Sequence, residues 1–151
     1  MMNKTNKKSE RGNALLEFAL GFAVLWALFS GLYQFGYSFY VYNALMTSVA
    51  NAAELGSKMN YDTSNTSKFS TAVTNMVVYG NTTAANGGNP IVPGLSSSNV
   101  NVNLNLQNSI PTDVTVSITN FTLDCVFTTF TFNGKPRATA VYYGTITCAG
   151  C

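Results

Sequence analysis

Residues 11–18 read RGNALLEF, from Arg11 to Phe18, and they set a short basic leader directly against a long uncharged segment. Upstream, Lys4, Lys7, Lys8 and Arg11 oppose the single acid Glu10, so residues 1–12 carry a net charge of +3. Downstream, Glu17 is the last formal charge before Glu54. A secretory signal peptide also joins a basic start to an apolar run, but that run usually covers only about 7 to 15 residues and ends at a small-residue cleavage site. Here the apolar and aromatic pattern continues through Tyr33, Tyr37 and Tyr42. A carboxylate at Glu17 is costly in lipid, about 2.5–3.5 kcal/mol at a helix centre and less near an end. An acid at that position invites a functional reading.

The apolar run predicts a helix from Ala14 to about Leu55, since the stretch holds no proline and its glycines are isolated. Forty helical residues rise roughly 60 Å, against a hydrocarbon core of roughly 30 Å, so such a helix crosses a membrane and continues beyond it. Phe18 to Tyr33 is apolar on every face, as lipid demands. Tyr33, Tyr37, Tyr40 and Tyr42 then crowd the level where the helix emerges, with ring in lipid and hydroxyl in water. Beyond Asn43, Leu45, Val49, Ala52 and Gly56 recur at helical spacing among polar residues, an amphipathic half suited to packing on a head. Ala19, Ala23, Ala27 and Gly31 form a ridge of small residues at a spacing of four. Such a ridge lets two membrane helices approach closely, whether copies of this chain or a partner, although alanine is also simply frequent in membrane helices.

The 151 residues thus divide into a leader (1–12), a transmembrane part of the helix (13–42) and an extracytoplasmic head (43–151) that includes the outer half of the helix. From Asn13 onward four basic residues (Lys58, Lys68, Lys135, Arg137) face five acids, a balance of −1, so the positive charge belongs to the leader. No basic face that tracks phosphates is visible, which argues against nucleic-acid binding. The leader charge instead predicts a cytoplasmic N-terminus and a head on the far side of the membrane.

Within the head, a second helix is predicted from about Ser67 to Tyr79, with Phe69, Ala72, Val73, Met76 and Val77 on one face and Gly80 as the stop. Residues 81–98 form a turn-rich loop with two prolines. Val100, Val102, Leu104 and Leu106 alternate with asparagines, and Val114, Val116 and Ile118 repeat the two-residue period, which slips before Phe121 and Leu123 as at a bulge. Asn133-Gly134-Lys135-Pro136 between Cys125–Phe132 and Arg137–Thr147 reads as a hairpin. The fold class is therefore α+β: a long helix packed on a four-stranded antiparallel sheet, with one further short helix. The asparagine alternation is most simply a solvated sheet face.

Cys125, Cys148 and Cys151 are disulfide candidates suited to an oxidising exterior, with the pairing left open. Cys148-Ala149-Gly150-Cys151 has the spacing of redox and zinc half-sites, but the chain has no histidine and no second ligand pair, so no metal is predicted. Without histidine there is no Ser/His or Cys/His nucleophile pair, and no phosphate-binding glycine loop is present. Asp113 and Asp124 read as solvated edge charges, not a catalytic pair. No enzymatic activity and no cofactor are expected.

The stretch RGNALLEFAL and its apolar continuation, with Phe35-Gly36, Tyr40-Val41-Tyr42-Asn43-Ala44-Leu45 and Ala52-Ala53-Glu54-Leu55-Gly56, resembles the N-terminal region of TadE-like proteins. These are minor pilins or pseudopilins of the tight-adherence branch of type IV pili, and the similarity covers roughly residues 11–58. The resemblance implies cleavage by a prepilin peptidase after Gly12, with Asn13 as the new N-terminus and Glu17 as the important fifth residue, followed by Phe18. It also implies other pilin or pseudopilin subunits and an inner-membrane assembly platform as partners, besides the lipid bilayer. Many relatives carry a proline in the first turns after the Glu-Phe pair, where this chain has Ala23, which predicts a straighter helix. The alternative function is a permanently anchored single-pass scaffold or binding protein that enters no filament.

Overall fold

The computed structural model describes residues 7–83, 88–125 and 127–147, and the chain divides into two compact units, Met1–Tyr37 and Ser38–Cys151. Helix α1 runs from Lys7 to Lys58, longer at both ends than the span read from the sequence. In the first unit, Gly12 to Phe29 are all exposed, which apolar side chains of a water-soluble core helix would not be. This helix is long and apolar enough to cross a membrane once.

The second unit opens with the remainder of α1, whose Val41, Leu45, Val49, Ala52, Ala53 and Gly56 are buried, at the helical spacing that the sequence displays. Two buried hydroxyls on this stretch are satisfied locally: Ser48 Oγ donates to Leu45 O at 2.9 Å and Ser57 Oγ to Glu54 O at 2.7 Å. On the exposed side, Lys58 Nζ lies 2.6 Å from Glu54 Oε1 and, through this hydrogen bond and its charge, holds that carboxyl below its ordinary range.

After strand β1 (Tyr61–Asp62), helix α2 (Thr66–Tyr79) buries Phe69, Val73, Asn75, Val77 and Val78. It ends as predicted at Gly80, whose φ of 69° is a left-handed conformation that glycine adopts without a Cβ penalty. The buried amide of Asn75 donates to Thr82 O at 3.1 Å and so ties down the start of the following loop.

The remaining strands are β2 (Val100–Gln107), β3 (Ile110–Ile118), β4 (Phe121–Asp124), β5 (Thr129–Phe132), β6 (Arg137–Val141) and β7 (Ile146–Thr147). They make an antiparallel three-stranded sheet in the order β2-β3-β6, a separate antiparallel β4-β5 hairpin, and a short parallel β1-β7 pair. Val114, Val116 and Ile118 of the central strand are fully buried, while Asn101, Asn103 and Asn105 of β2 point to solvent.

Three details differ from the sequence reading. The expected four-stranded antiparallel sheet is a three-stranded sheet with a separate β4-β5 hairpin, because the chain turns out of the sheet after β3 at Asn120, whose φ is 52°. The segment at Asn133-Gly134 is not a hairpin turn but a crossover, because β5 pairs with β4 and β6 with β3. A two-residue turn on Gly134-Lys135 needs an N–H from the residue after it, and Pro136 has none. The segment is fixed instead to the end of β3, with Gly134 N–H donating to Ile118 O (2.8 Å) and Ile118 N–H to Pro136 O (3.1 Å). The slip before Phe121 is a strand end at Asn120 (φ 52°), where the chain leaves the three-stranded sheet, and the register shift falls instead between Asn105 and Leu106.

Gly56 is where three elements meet: a Cβ there would lie 3.1 Å from Val114 Cγ1, 3.2 Å from Val73 Cγ2 and 3.4 Å from Phe69 Cζ. The absence of a side chain lets α1 lie close against β3 and α2. Gly56→Val should destabilise the second unit by about 1–3 kcal/mol despite the better helix propensity, because buried neighbours must move. A urea titration followed by near-ultraviolet circular dichroism checks this, and an unchanged midpoint would show that the close approach is dispensable. Just past the end of α1, Tyr142 Oη lies 2.7 Å from Met59 O and 2.8 Å from Thr145 O, clamping the exit of the helix to the chain before β7. Partial burial raises the phenol above its usual pKa.

Candidate functional site

Gly12, Asn13, Glu17 and Phe18 all lie on α1 and are all exposed. Outside its own helix, a Cβ built on Gly12 would meet nothing within 4 Å. Asn13 and Glu17 are one helical turn apart and share a face. An amine freed at Asn13 would therefore stand near the carboxylate of its own chain, or of a neighbouring chain displaced along the helix.

Beyond this junction the first unit is lined with rings. Phe18 and Phe22 stack at 6.3 Å between centroids, Phe22 and Trp26 at 6.2 Å, and Tyr33 and Tyr37 at 6.4 Å, each pair spaced i, i+4. Ala19, Ala23, Ala27 and Gly31 fall on one face by the same spacing, and nothing lies within 4 Å of a Cβ built on Gly31. The ridge is thus open. Ser30 Oγ donates back to Trp26 O at 2.7 Å, which hides its hydroxyl from an apolar surrounding.

Of the cysteines, Cys148 and Cys151 lie outside the described residues, and so do the pairings that involve them. Cys125 does not face Gly144 across a hairpin, as the turn on Gly134 and Lys135 would require. It closes the β4-β5 turn through N–H donation to Thr128 O (3.0 Å), and its Sγ lies 3.4 Å from Ser38 Oγ. Asp113 accepts hydrogen bonds from Asn105 Nδ2 across the β2-β3 ladder, at 3.0 Å to Oδ2, while Asp124 ends β4 in another sheet. The two carboxylates form no pair. Among the described residues, no three His, Cys, Asp or Glu side chains group as a ligand set.

The sequence reading missed the surroundings of Tyr42. Phe132 packs on Tyr42 at 6.2 Å and on Phe121 at 6.0 Å, and a depression of about 420 Å³ beside them is lined by Tyr42, Met46, Gly134, Lys135, Pro136 and Arg137. The run Phe127-Thr128-Thr129-Phe130-Thr131-Phe132 is the signal that carries this feature, since rings at alternate positions of a short strand must find a cover. A second depression of about 320 Å³ runs along α1 past Tyr40, Asn43, Thr47 and Asn51 to Ile91.

No family model, curated protein or solved structure matches the chain.

Proposed function

We propose that this chain is a prepilin-like minor subunit of a tight-adherence type IV pilus, cleaved after Gly12, anchored by α1 in the inner membrane and active in pilus assembly or adhesion. The observation that carries the reading is the division of labour along α1. Its first part is apolar and exposed from Leu15 to Phe29, and its second part supplies buried residues from Val41 to Gly56 to an α+β head. A single helix that is both lipid anchor and head spine is what a subunit needs if it is to leave the bilayer and stack with others through its apolar part. The RGNALLEF junction at its start and the paired positions of Asn13 and Glu17 give that helix a place to be cut and a charge to be matched.

In this reading the partners are the prepilin peptidase, other pilin or pseudopilin subunits, the inner-membrane assembly platform and lipid. Ala19, Ala23, Ala27 and Gly31 are the surface on which a neighbouring helix packs. Filaments sheared from cells that express the chain should contain the head when probed with an antibody against residues 100–118. Retention of all the head in the membrane fraction would favour a permanently anchored scaffold instead.

A further inference from the structure

The β4-β5 hairpin lies beside the first turns of the second unit in a definite direction. Its open end, at Phe132, packs on Tyr42, and its closed end, at Cys125, reaches Ser38. Large apolar groups are exposed here: Phe127 in the closed end is 66% exposed, Phe130 40%, and Phe39 and Tyr40 on α1 66% and 67%. The depression next to Tyr42 adds Lys135 and Arg137, two of the four basic residues after Gly12, and no acid lines it.

The place of these groups along the chain gives them a common occupant. Phe18 to Tyr37 is a stretch of helix rising roughly 30 Å, the thickness of a hydrocarbon core. The headgroup layer adds roughly 5–7 Å on each side, or about three to five helical residues, and so falls at Ser38 to Tyr42. The hairpin meets α1 at both ends of that segment, at Ser38 and at Tyr42. Aromatic rings favour the boundary between headgroups and acyl chains, and long basic side chains reach lipid phosphates from just outside it. A protein partner on this patch would have to share it with lipid.

We propose that this end of the second unit docks on an anionic bilayer, with Phe127 entering the boundary between headgroups and acyl chains and Lys135 and Arg137 contacting lipid phosphates. The inference rests on the reading of α1 as a membrane span. Docking would hold the head against the outer leaflet until the subunit is extracted, so that leaving the membrane requires release of two contacts, helix and hairpin.

The test uses the full chain in vesicles carrying brominated acyl chains, made from phosphatidylcholine alone or mixed with phosphatidylglycerol. Trp26 is the single tryptophan, so its quenching by deeply placed bromines reports insertion of α1. In a Trp26→Phe, Phe127→Trp chain the introduced indole reports the hairpin, and substitution at this exposed position leaves the core intact. The expected result is quenching of that indole by shallow bromines more than by deep ones, stronger with phosphatidylglycerol. Lys135→Gln with Arg137→Gln should lower the docked-to-undocked ratio in the anionic vesicles, roughly fivefold for each charge removed.

Quenching of Trp26 together with an indole at 127 that only a water-soluble quencher reaches would overturn the docking and leave the membrane span standing. An indole shielded from both quenchers in proportion to protein density would assign the patch to a second copy and also overturn it. Equal quenching in both lipids, unmoved by the charge variant, would remove the phosphate contact. No quenching of Trp26 would overturn the span and the docking together.

Discussion

Leu45→Ala should lower the stability of the second unit by about 2–5 kcal/mol, whereas Leu28→Ala on the same helix should change it by about 0.5 kcal/mol or less. Leu45 is 0% exposed and Leu28 is 59% exposed. The residues have the same chemistry and lie in the same kind of backbone, so the contrast isolates burial. Val41 and Val49, one turn to either side of Leu45, are also fully buried, and the cavity left by alanine has little freedom to collapse. Urea midpoints of the two variants in a mild detergent, read by near-ultraviolet circular dichroism, measure the difference. Equal midpoints would mean that the head folds without the second half of α1 as part of its core, and the division of that helix into anchor and spine would be wrong.

Glu17→Gln should leave cleavage after Gly12 largely intact and reduce piliation roughly a hundredfold or more. The expectation follows from the geometry of Asn13 and Glu17, one helical turn apart on an exposed face of α1. In the proposed reading cleavage would create an ammonium at Asn13, and a carboxylate that enters an apolar assembly is tolerated if it is matched by such a charge, in its own chain or in a neighbour's. Glutamine keeps the size of the side chain and removes its charge. The amine is then left without its counterion, and losing one partner of a desolvated pair typically costs about 3–5 kcal/mol. Counting surface filaments while following the mature N-terminus separates assembly from processing. Normal piliation by a cleaved Glu17→Gln chain would refute the pairing.

Long periodic segments were legible in the sequence for a physical reason: one rule repeated many times. Leu45, Val49, Ala52 and Gly56 announce the buried face of α1, Gly80 its neighbour's stop, and Val114, Val116 and Ile118 the central strand. What escaped depended on single residues or on distant contacts. Asn133-Gly134 promised a hairpin, whereas the chain there crosses from β5 to β6 and Gly134 N–H donates to Ile118 O at the end of β3. Tyr61–Asp62 and Ile146–Thr147 pair over two residues each, too few for any period to show. The alternation from Val100 onward predicts one four-stranded sheet, whereas Asn120 turns the chain out and gives the Phe-rich segment its own hairpin. The candidate site divided in the same way. Gly12, Glu17 and the ridge from Ala19 to Gly31 are local in sequence, so they are candidates that a sequence can offer. Ser38 with Cys125, and Tyr42 with Lys135 and Arg137, are joined only by folding, across 87 residues in the first case.

The central claim is that the leader and α1 form a processed prepilin junction. The most direct test is the intact mass and N-terminal sequence of the chain extracted from membranes of cells with an active prepilin peptidase. A mature chain that begins at Asn13 is the predicted result. A chain that still begins at Met1 or Met2 under those conditions would contradict it.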